Sequence, residues 1–108
     1  MEENYSVRIT AQAQTHLSEI TRYVAYTLQA PEAALRMLDT LYEAIESLSF
    51  MPHRIALVED EPWRSDGVRR MVVKNHLVYF WIDEPNAKVQ IIAVIYGRRD
   101  QAQQLAEL

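Results

Sequence analysis

The basic residues in the last third of the chain are the side chains best suited to bind an anion. Arg70, Lys74 and His76 lie close together in sequence, and Arg98 with Arg99 follows the last β-rich run. A guanidinium group binds a phosphate bidentately and pairs in the same way with a carboxylate of a protein. These residues stand at or beyond the ends of predicted neighbouring strands, where side chains converge. We therefore expect any functional site in this region.

Several of these residues also have a purely structural interpretation. His76 is either a functional residue or a solvated residue at the start of a strand. Arg98 and Arg99 either bind an external group or pair internally, with Asp100 or with the acidic run 59–61. Both alternatives are compatible with the sequence pattern.

Two more side chains near this region are open to alternative interpretations. Arg69 and Arg70 are adjacent on a predicted strand and face opposite sides, so at most one of them enters a given site. Trp63 follows a proline in an irregular segment. It is either a stacking platform for a target or a lid over the edge of the core.

Common cofactor and metal motifs are missing from the sequence. The chain has no cysteine, and its two glycines, Gly67 and Gly97, stand alone rather than in a phosphate-binding loop. His16, His53 and His76 show neither i,i+4 spacing nor clustered carboxylates, so zinc ligation is not indicated. We expect His16 to be exposed on a helix and His53 to lie in a loop. The sequence predicts neither a cofactor nor a metal.

Charge is distributed unevenly along the 108 residues. The formal net charge is −4, but residues 1–62 carry four arginines and ten acidic residues, whereas residues 63–108 carry seven basic and five acidic residues. An acidic protein has little long-range attraction for a polyanion, so any contact with nucleic acid must be local. No apolar run approaches the ~20 residues that span a bilayer. We expect a cytoplasmic protein that forms a single domain over residues 1–108.

Three β-rich runs dominate the last half of the chain. They cover residues 68–74, 77–83 and 89–96 and are separated by short polar connections, which is typical of hairpins rather than of helical crossovers. The sequence therefore predicts an antiparallel meander. The middle run carries large apolar residues at both even and odd positions, so it is expected to be a central strand that is covered on both faces.

The first half of the chain predicts a strand and two helices. The run 5–9 alternates as a strand, and Thr10 is a candidate N-cap for a helix over 11–28. Pro31 is suited to the first position of a second helix over 31–48, and the short connection requires an antiparallel hairpin. The segment 55–58 is a candidate short strand, and 100–106 a short C-terminal helix. These elements predict an α+β fold in which the helical hairpin packs on a mainly antiparallel, twisted sheet.

The order and spacing of these elements resemble the RelE/ParE superfamily of bacterial type II toxin–antitoxin toxins. The resemblance covers about residues 4 to 102. It implies a small toxin with a helical hairpin on an antiparallel sheet, neutralised by a cognate antitoxin that wraps around it. The segments that carry it are ITRYV at 20–24, MP at 51–52, RMVV at 70–73, LVYF at 77–80 and IIAVIYGRRD at 91–100.

One branch of this superfamily cleaves mRNA on the ribosome. The resemblance to that branch implies that Arg70 and Arg99 stabilise the phosphate, that Glu61 or Lys74 is the general base, and that His76 is the general acid. The ribosome and mRNA would then be the partners. In the RNases, however, an arginine usually stands at the position of His76.

The other branch, ParE, inhibits DNA gyrase by binding it. The long helical hairpin and the segment IYGRRD resemble this branch more closely. We therefore interpret the chain as a ParE-like inhibitor of DNA gyrase, with the mRNA endonuclease as the alternative. On this interpretation Arg70, Arg98, Arg99 and Trp63 contact the target, and the partners are gyrase and a cognate antitoxin.

Overall fold

The computed structural model describes residues 4–97 of the chain, so the predicted C-terminal helix, Arg98 and Arg99 lie outside the described residues. Two helices and a four-stranded sheet form the fold, and the α+β architecture predicted from the sequence is confirmed. None of the helices in this part of the chain has the length and apolar character needed to cross a membrane. In chain order the elements are β1 (Ser6–Ile9), α1 (Ala11–Arg22), α2 (Pro31–Glu46), β2 (Arg69–Val73), β3 (His76–Asp83) and β4 (Lys88–Tyr96).

The sheet has the strand order β1-β4-β3-β2. β2, β3 and β4 pair antiparallel as the predicted meander, and β1 joins β4 in parallel. The register between β3 and β4 shifts by one residue after Tyr79, since Tyr79 pairs with Ala93 and Phe80 pairs with Ile91. Such a bulge bends the strand and increases its twist. β3 therefore lies between two partners, as its apolar composition predicts.

The helical hairpin begins and turns where the local sequence signals predict. The Thr10 side chain accepts a hydrogen bond from the Ala13 N–H at 3.2 Å, and its hydroxyl donates to the Ile91 carbonyl at 2.9 Å. A π-helical turn, Tyr23–Thr27, extends α1, and Pro31 is the first residue of α2. The N-cap thus fixes both the start of α1 and its position on β4.

The main core lies between the helices and one face of the sheet. Leu41 and Ile45 of α2 are almost completely buried, on the sheet face that carries Val78 and Phe80. Tyr79, between these two residues, points to the opposite face. The other buried members of the main core are Tyr5, Ala13, Leu17, Ile20, Val24, Ala34, Leu48, Met71, Val73, Val89, Ile91 and Val94.

A second, smaller core covers part of the opposite sheet face. Trp63 packs against it from the segment that connects α2 to β2, so its interpretation as a lid over a core edge is confirmed. The expected strand over 55–58 is reduced to a single bridge between Leu57 and Arg69. The Val58 N–H bonds the Val68 carbonyl and the Arg70 N–H bonds the Ala56 carbonyl on either side of this bridge, and bends and turns follow over residues 59–67. The buried members are Val58, Val68, Leu77, Tyr79, Ala93 and Ile95.

The expectation that His16 is an exposed helix residue is wrong. His16 is half-buried, and its Nδ1 accepts a hydrogen bond from the Val94 N–H at 3.1 Å. β1 pairs with β4 only as far as Ile91, so the histidine satisfies a main-chain donor that lies beyond the end of β1. Burial lowers the pKa of His16, and the nearby Glu19 carboxylate opposes this shift only in part.

Replacing a core leucine of α2 tests the packing of the hairpin. Leu41→Ala should lower the free energy of unfolding by about 2–5 kcal/mol, because the substitution leaves a cavity between α2 and the sheet. Leu35→Ala on the same helix is the matched control, since Leu35 is 63% exposed and should change stability by less than about 0.5 kcal/mol. Urea unfolding measures both values. Equal effects at the two positions would contradict the packing of α2 through Leu41.

The bond between His16 and Val94 should make stability depend on pH. Nδ1 accepts the hydrogen bond from Val94 only when the ring is neutral. The bond therefore contributes fully above the ordinary histidine pKa of about 6.5. The contribution is lost as the pH falls through the lowered pKa of folded His16. Urea unfolding at pH 7.5 and pH 5.5 should therefore show a smaller loss in His16→Gln than in the wild type. An identical loss in both proteins would exclude His16 as a source of the dependence.

Candidate functional site

A cavity of about 600 Å³ lies at the end of the sheet, beside the turn between β2 and β3. It contains three of the residues singled out from the sequence, Arg70, Lys74 and His76. The full lining consists of Arg70, Val72, Lys74, Asn75, His76, Leu77, Tyr96 and Gly97. The structure therefore brings together side chains from β2, from the turn between β2 and β3, from the start of β3 and from the end of β4.

Strand register places these side chains at one end of the sheet. His76 pairs with Val73 on one side and with Tyr96 on the other. The Gly97 N–H donates to the Asn75 carbonyl at 2.8 Å and ties the end of β4 to the turn. Gly97 has a φ of +84°, which glycine adopts without strain.

His76 is buried rather than solvated, so the interpretation as a solvated strand-end residue is wrong. Its side chain follows the register onto the helix-covered face, and its ring lies 4.9 Å from the ring of Tyr96. Nδ1 donates a hydrogen bond of 3.4 Å to the Val73 carbonyl. Burial lowers the pKa of His76, and the bond to Val73 opposes the shift. The imidazole is therefore neutral near pH 7, with its proton on Nδ1.

The second nitrogen of His76 has no hydrogen-bond partner among residues 4–97. Nε2 is buried and forms no hydrogen bond to any residue in the described range 4–97. Because Nδ1 carries the proton, Nε2 is an acceptor. A buried acceptor without a donor costs free energy, which an incoming N–H or O–H group could recover.

A second cavity, of about 410 Å³, lies on the other side of His76, between α2 and the end of the sheet. The two cavities share Lys74, Asn75, His76 and Tyr96. We call the two cavities together the sheet-end cleft. The remaining lining residues of its second part are Val24, Ala33, Arg36, Met37, Thr40, Leu41 and Val73.

The sheet-end cleft is positively charged within an acidic protein. Arg70, Lys74 and Arg36 line it, and among residues 4–97 no Asp or Glu does so. Arg36 was not identified from the sequence, because it lies on α2 and reaches the cleft only through the packing of the helix on the sheet. A surface of this kind attracts a carboxylate or a phosphate.

Glu61 and Trp63 do not line the sheet-end cleft. Glu61 is exposed, and its carboxylate accepts the Ser65 N–H at 3.0 Å. Hydrogen bonds from Ser65 lower the pKa of Glu61. Trp63 belongs to the small core described above. The structure thus separates these two residues from Arg70, Lys74 and His76.

Arg69 has a structural role distinct from that of Arg70. Its guanidinium donates to the carbonyls of Ile55 at 2.6 Å and His53 at 3.4 Å, which ties the irregular segment to β2. Arg70 is exposed and lines the cleft. Of the two adjacent arginines, Arg70 lines the cleft and Arg69 does not, as expected for neighbours that face opposite sides of a strand.

The geometry of the sheet-end cleft suits binding better than proton transfer. His76 lacks the second proton that a general acid must give up near pH 7. Its Nε2 is also shielded from solvent. No group of three or more potential metal ligands occurs among the residues that the structure describes. The described part of the cleft can hold an anionic group but offers no acid and base around it.

Comparisons with known proteins relate this fold to toxins. Residues 7–101 match the family model described as ParE toxin of type II toxin-antitoxin system, parDE. No curated protein matches the sequence. Among solved structures, the chain is similar to a chain of the chromosomal ParDE TA system from P. aeruginosa, with a TM-score of 0.71 and 22% identity, covering 87% of this chain and 97% of that one.

A second solved structure is similar at a comparable level. It is a chain of the toxin-antitoxin complex RelBE2 from Mycobacterium tuberculosis, with a TM-score of 0.63 and 23% identity, covering 86% of this chain and 98% of that one. At these identities the structures support the fold, and the family model, which spans most of the chain, supports the membership. The chain belongs to the ParE toxin family of type II toxin–antitoxin systems.

Proposed function

We propose that this toxin stops growth in the cytoplasm by binding DNA gyrase and that a cognate antitoxin neutralises it. The observation that carries the proposal is the sheet-end cleft, which is cationic but holds a neutral, buried histidine in place of a general acid. A cationic cleft of this kind is suited to binding an acidic protein surface. Arg70 and Lys74 are the described residues that make this contact, and Arg98 and Arg99 continue the chain directly after Gly97.

Ribosome-dependent mRNA cleavage is the second candidate function. Arg70 and Lys74 at one cavity favour it, because both suit a phosphate. Of the residues assigned to proton transfer, Lys74 lines the cleft, whereas Glu61 and His76 do not favour cleavage. Glu61 lies away from the cleft and has a lowered pKa, so it is a weak base. His76 is neutral, so it is a poor acid.

The outer surface of the helical hairpin is suited to the antitoxin. A groove of about 540 Å³ runs between α1 and α2 on the side away from the sheet. Tyr26 and Leu35 in this groove are 75% and 63% exposed, and exposed apolar groups of this size mark binding surfaces. The similar RelBE2 structure is a toxin-antitoxin complex, which supports an antitoxin as a partner. The other apolar lining residues are Leu17, Ala25, Pro31, Ala34, Leu38 and Tyr42.

A charge deletion in the cleft tests the target. Arg70→Ala should raise the concentration that half-inhibits gyrase supercoiling by about tenfold or more, since truncating one member of an interfacial charge pair costs ~2–5 kcal/mol. Arg8→Ala is the matched control, because Arg8 is exposed on the same sheet but does not line the cleft. Supercoiling and transcript integrity are assayed in the same induced cells. Cut transcripts together with normal supercoiling would show that the protein is instead an mRNA endonuclease.

A charge introduced into the hairpin groove tests the antitoxin surface. Leu35→Asp should weaken the complex with the small protein encoded by the adjacent reading frame by about tenfold or more, because an apolar anchor becomes a buried charge. Leu28→Asp is the control, since Leu28 is exposed but outside the groove. Co-purification and calorimetric titration measure the effect. Equal affinity of the two variants would exclude the groove as the antitoxin surface.

A further inference from the structure

The second part of the sheet-end cleft has the size and the walls of a small-molecule site. It is a cavity of about 410 Å³ between α2 and the end of the sheet. Small-molecule sites typically enclose about 300–1,000 Å³ and are lined mainly by apolar side chains. The apolar part of this lining comes from the helical hairpin and from β2 and consists of Val24, Ala33, Met37, Leu41 and Val73. These side chains can cover the apolar body of a ligand.

His76 presents an unused hydrogen-bond acceptor at this cavity. Its side chain lines the cavity and is only 5% exposed. Nδ1 donates to the Val73 carbonyl, and Nε2 forms no hydrogen bond to any residue in the range 4–97. Most buried polar atoms in folded proteins have a partner, and one without a partner costs free energy until a donor reaches it. A ligand with an N–H or O–H group would supply that donor.

Two cations without partners line the same cavity. Arg36 comes from α2 and Lys74 from the turn between β2 and β3, and both are exposed. Within residues 4–97, neither side chain forms an ion pair or a hydrogen bond. No Asp or Glu of that range lines the cavity. An anionic group on the ligand would therefore be attracted to this side of the cavity.

Other parts of the described structure offer less to such a ligand. The cavity beside His16 encloses about 190 Å³, and Nδ1 of that histidine already accepts the Val94 N–H. The Tyr79 hydroxyl is buried without a partner among residues 4–97, but it lies in the small core and lines neither part of the cleft. Among these residues, His76 is the one that combines an unpartnered buried atom with a cavity.

We propose that this part of the cleft binds a small organic anion whose apolar body carries an N–H or O–H donor. The donor bonds Nε2 of His76, the body packs between the helical hairpin and β2, and the anionic group lies near Arg36 and Lys74. A small molecule fits better than a side chain of a protein partner, because an ionised Asp or Glu side chain has no donor. The inference does not depend on which target the toxin binds.

Three indole compounds test the three features of the ligand. Indole-3-propionate combines a carboxylate, an apolar ring and an N–H donor, and we expect it to bind the antitoxin-free protein with a Kd of about 1 mM or lower. Its N-methyl derivative lacks the donor, and indole-3-propionamide lacks the charge. We expect each of these two to bind about tenfold more weakly in an NMR titration.

The nitrogen signals of His76 show whether the predicted hydrogen bond forms. In a long-range proton–nitrogen correlation spectrum, indole-3-propionate should shift the Nε2 signal of His76, because its N–H donates to that nitrogen. The N-methyl derivative should leave the signal nearly unchanged. A ligand held only by apolar contact would not distinguish the two compounds.

Two variants separate the donor site from the anion site. His76→Phe keeps an aromatic ring but removes the acceptor, so it should abolish the preference for indole-3-propionate over its N-methyl derivative. Arg36→Gln should reduce the preference for the carboxylate over the amide by at least about threefold. Arg8→Gln is the matched control and should change neither preference, since Arg8 is exposed and does not line the cleft. Arg36→Gln alters only an exposed side chain, so it tests the site even if His76→Phe does not fold.

Three results would overturn this small-molecule site. They are no saturable binding of indole-3-propionate up to about 10 mM, equal binding of its N-methyl derivative, and spectral changes confined to the groove between α1 and α2. A protein that binds indole-3-propionate at His76 but has no effect on gyrase would refute the target proposed above and leave this site intact.

Discussion

The need to cover both faces of β3 organises this protein. β3 has large apolar side chains at successive positions, with Val78 and Phe80 on one face and Tyr79 on the other, and all three are fully buried. The helical hairpin covers the first face. Among the described residues, the irregular segment with Trp63 packs on the opposite face. The sheet-end cleft lies at the end of the sheet near the β2–β3 turn.

The cleft depends on how the protein buries its histidines. His16 and His76 lie on either side of the end of β4, and burial lowers the pKa of both. His16 thereby remains an acceptor for Val94, where a strand partner is lacking. His76 remains neutral between Arg70, Lys74 and Arg36, so it adds no fourth positive charge to the repulsion among them. The charge that attracts a ligand therefore comes from exposed side chains, and the buried rings hold the end of β4 in place.

Local signals in the sequence predicted the helices and strands, whereas tertiary contacts determine which side chains come together at the candidate site. Thr10 and Pro31 act within one helical turn, so the sequence alone identified both helix starts. The burial of His76 depends on its strand register, which decides its neighbours. Glu61 lies away from the expected site because it belongs to an irregular segment, whose path the sequence does not predict. Arg36 reaches the cleft only through helix packing. Spacing along one strand therefore predicted that Arg70 and Lys74 lie close together but could not identify the residues from other elements that join them.

The same separation supports the proposed binding role over a catalytic one. General acid–base catalysis needs two groups with different protonation states within reach of one phosphate. Here the acid candidate is buried against Val73 and Tyr96, and Glu61 is held by Ser65 outside the cleft. Binding needs only fixed charge and an apolar contact, and the end of β2 offers both within a few residues. The proposed binding to an acidic partner would therefore need no catalytic chemistry at this end of the sheet.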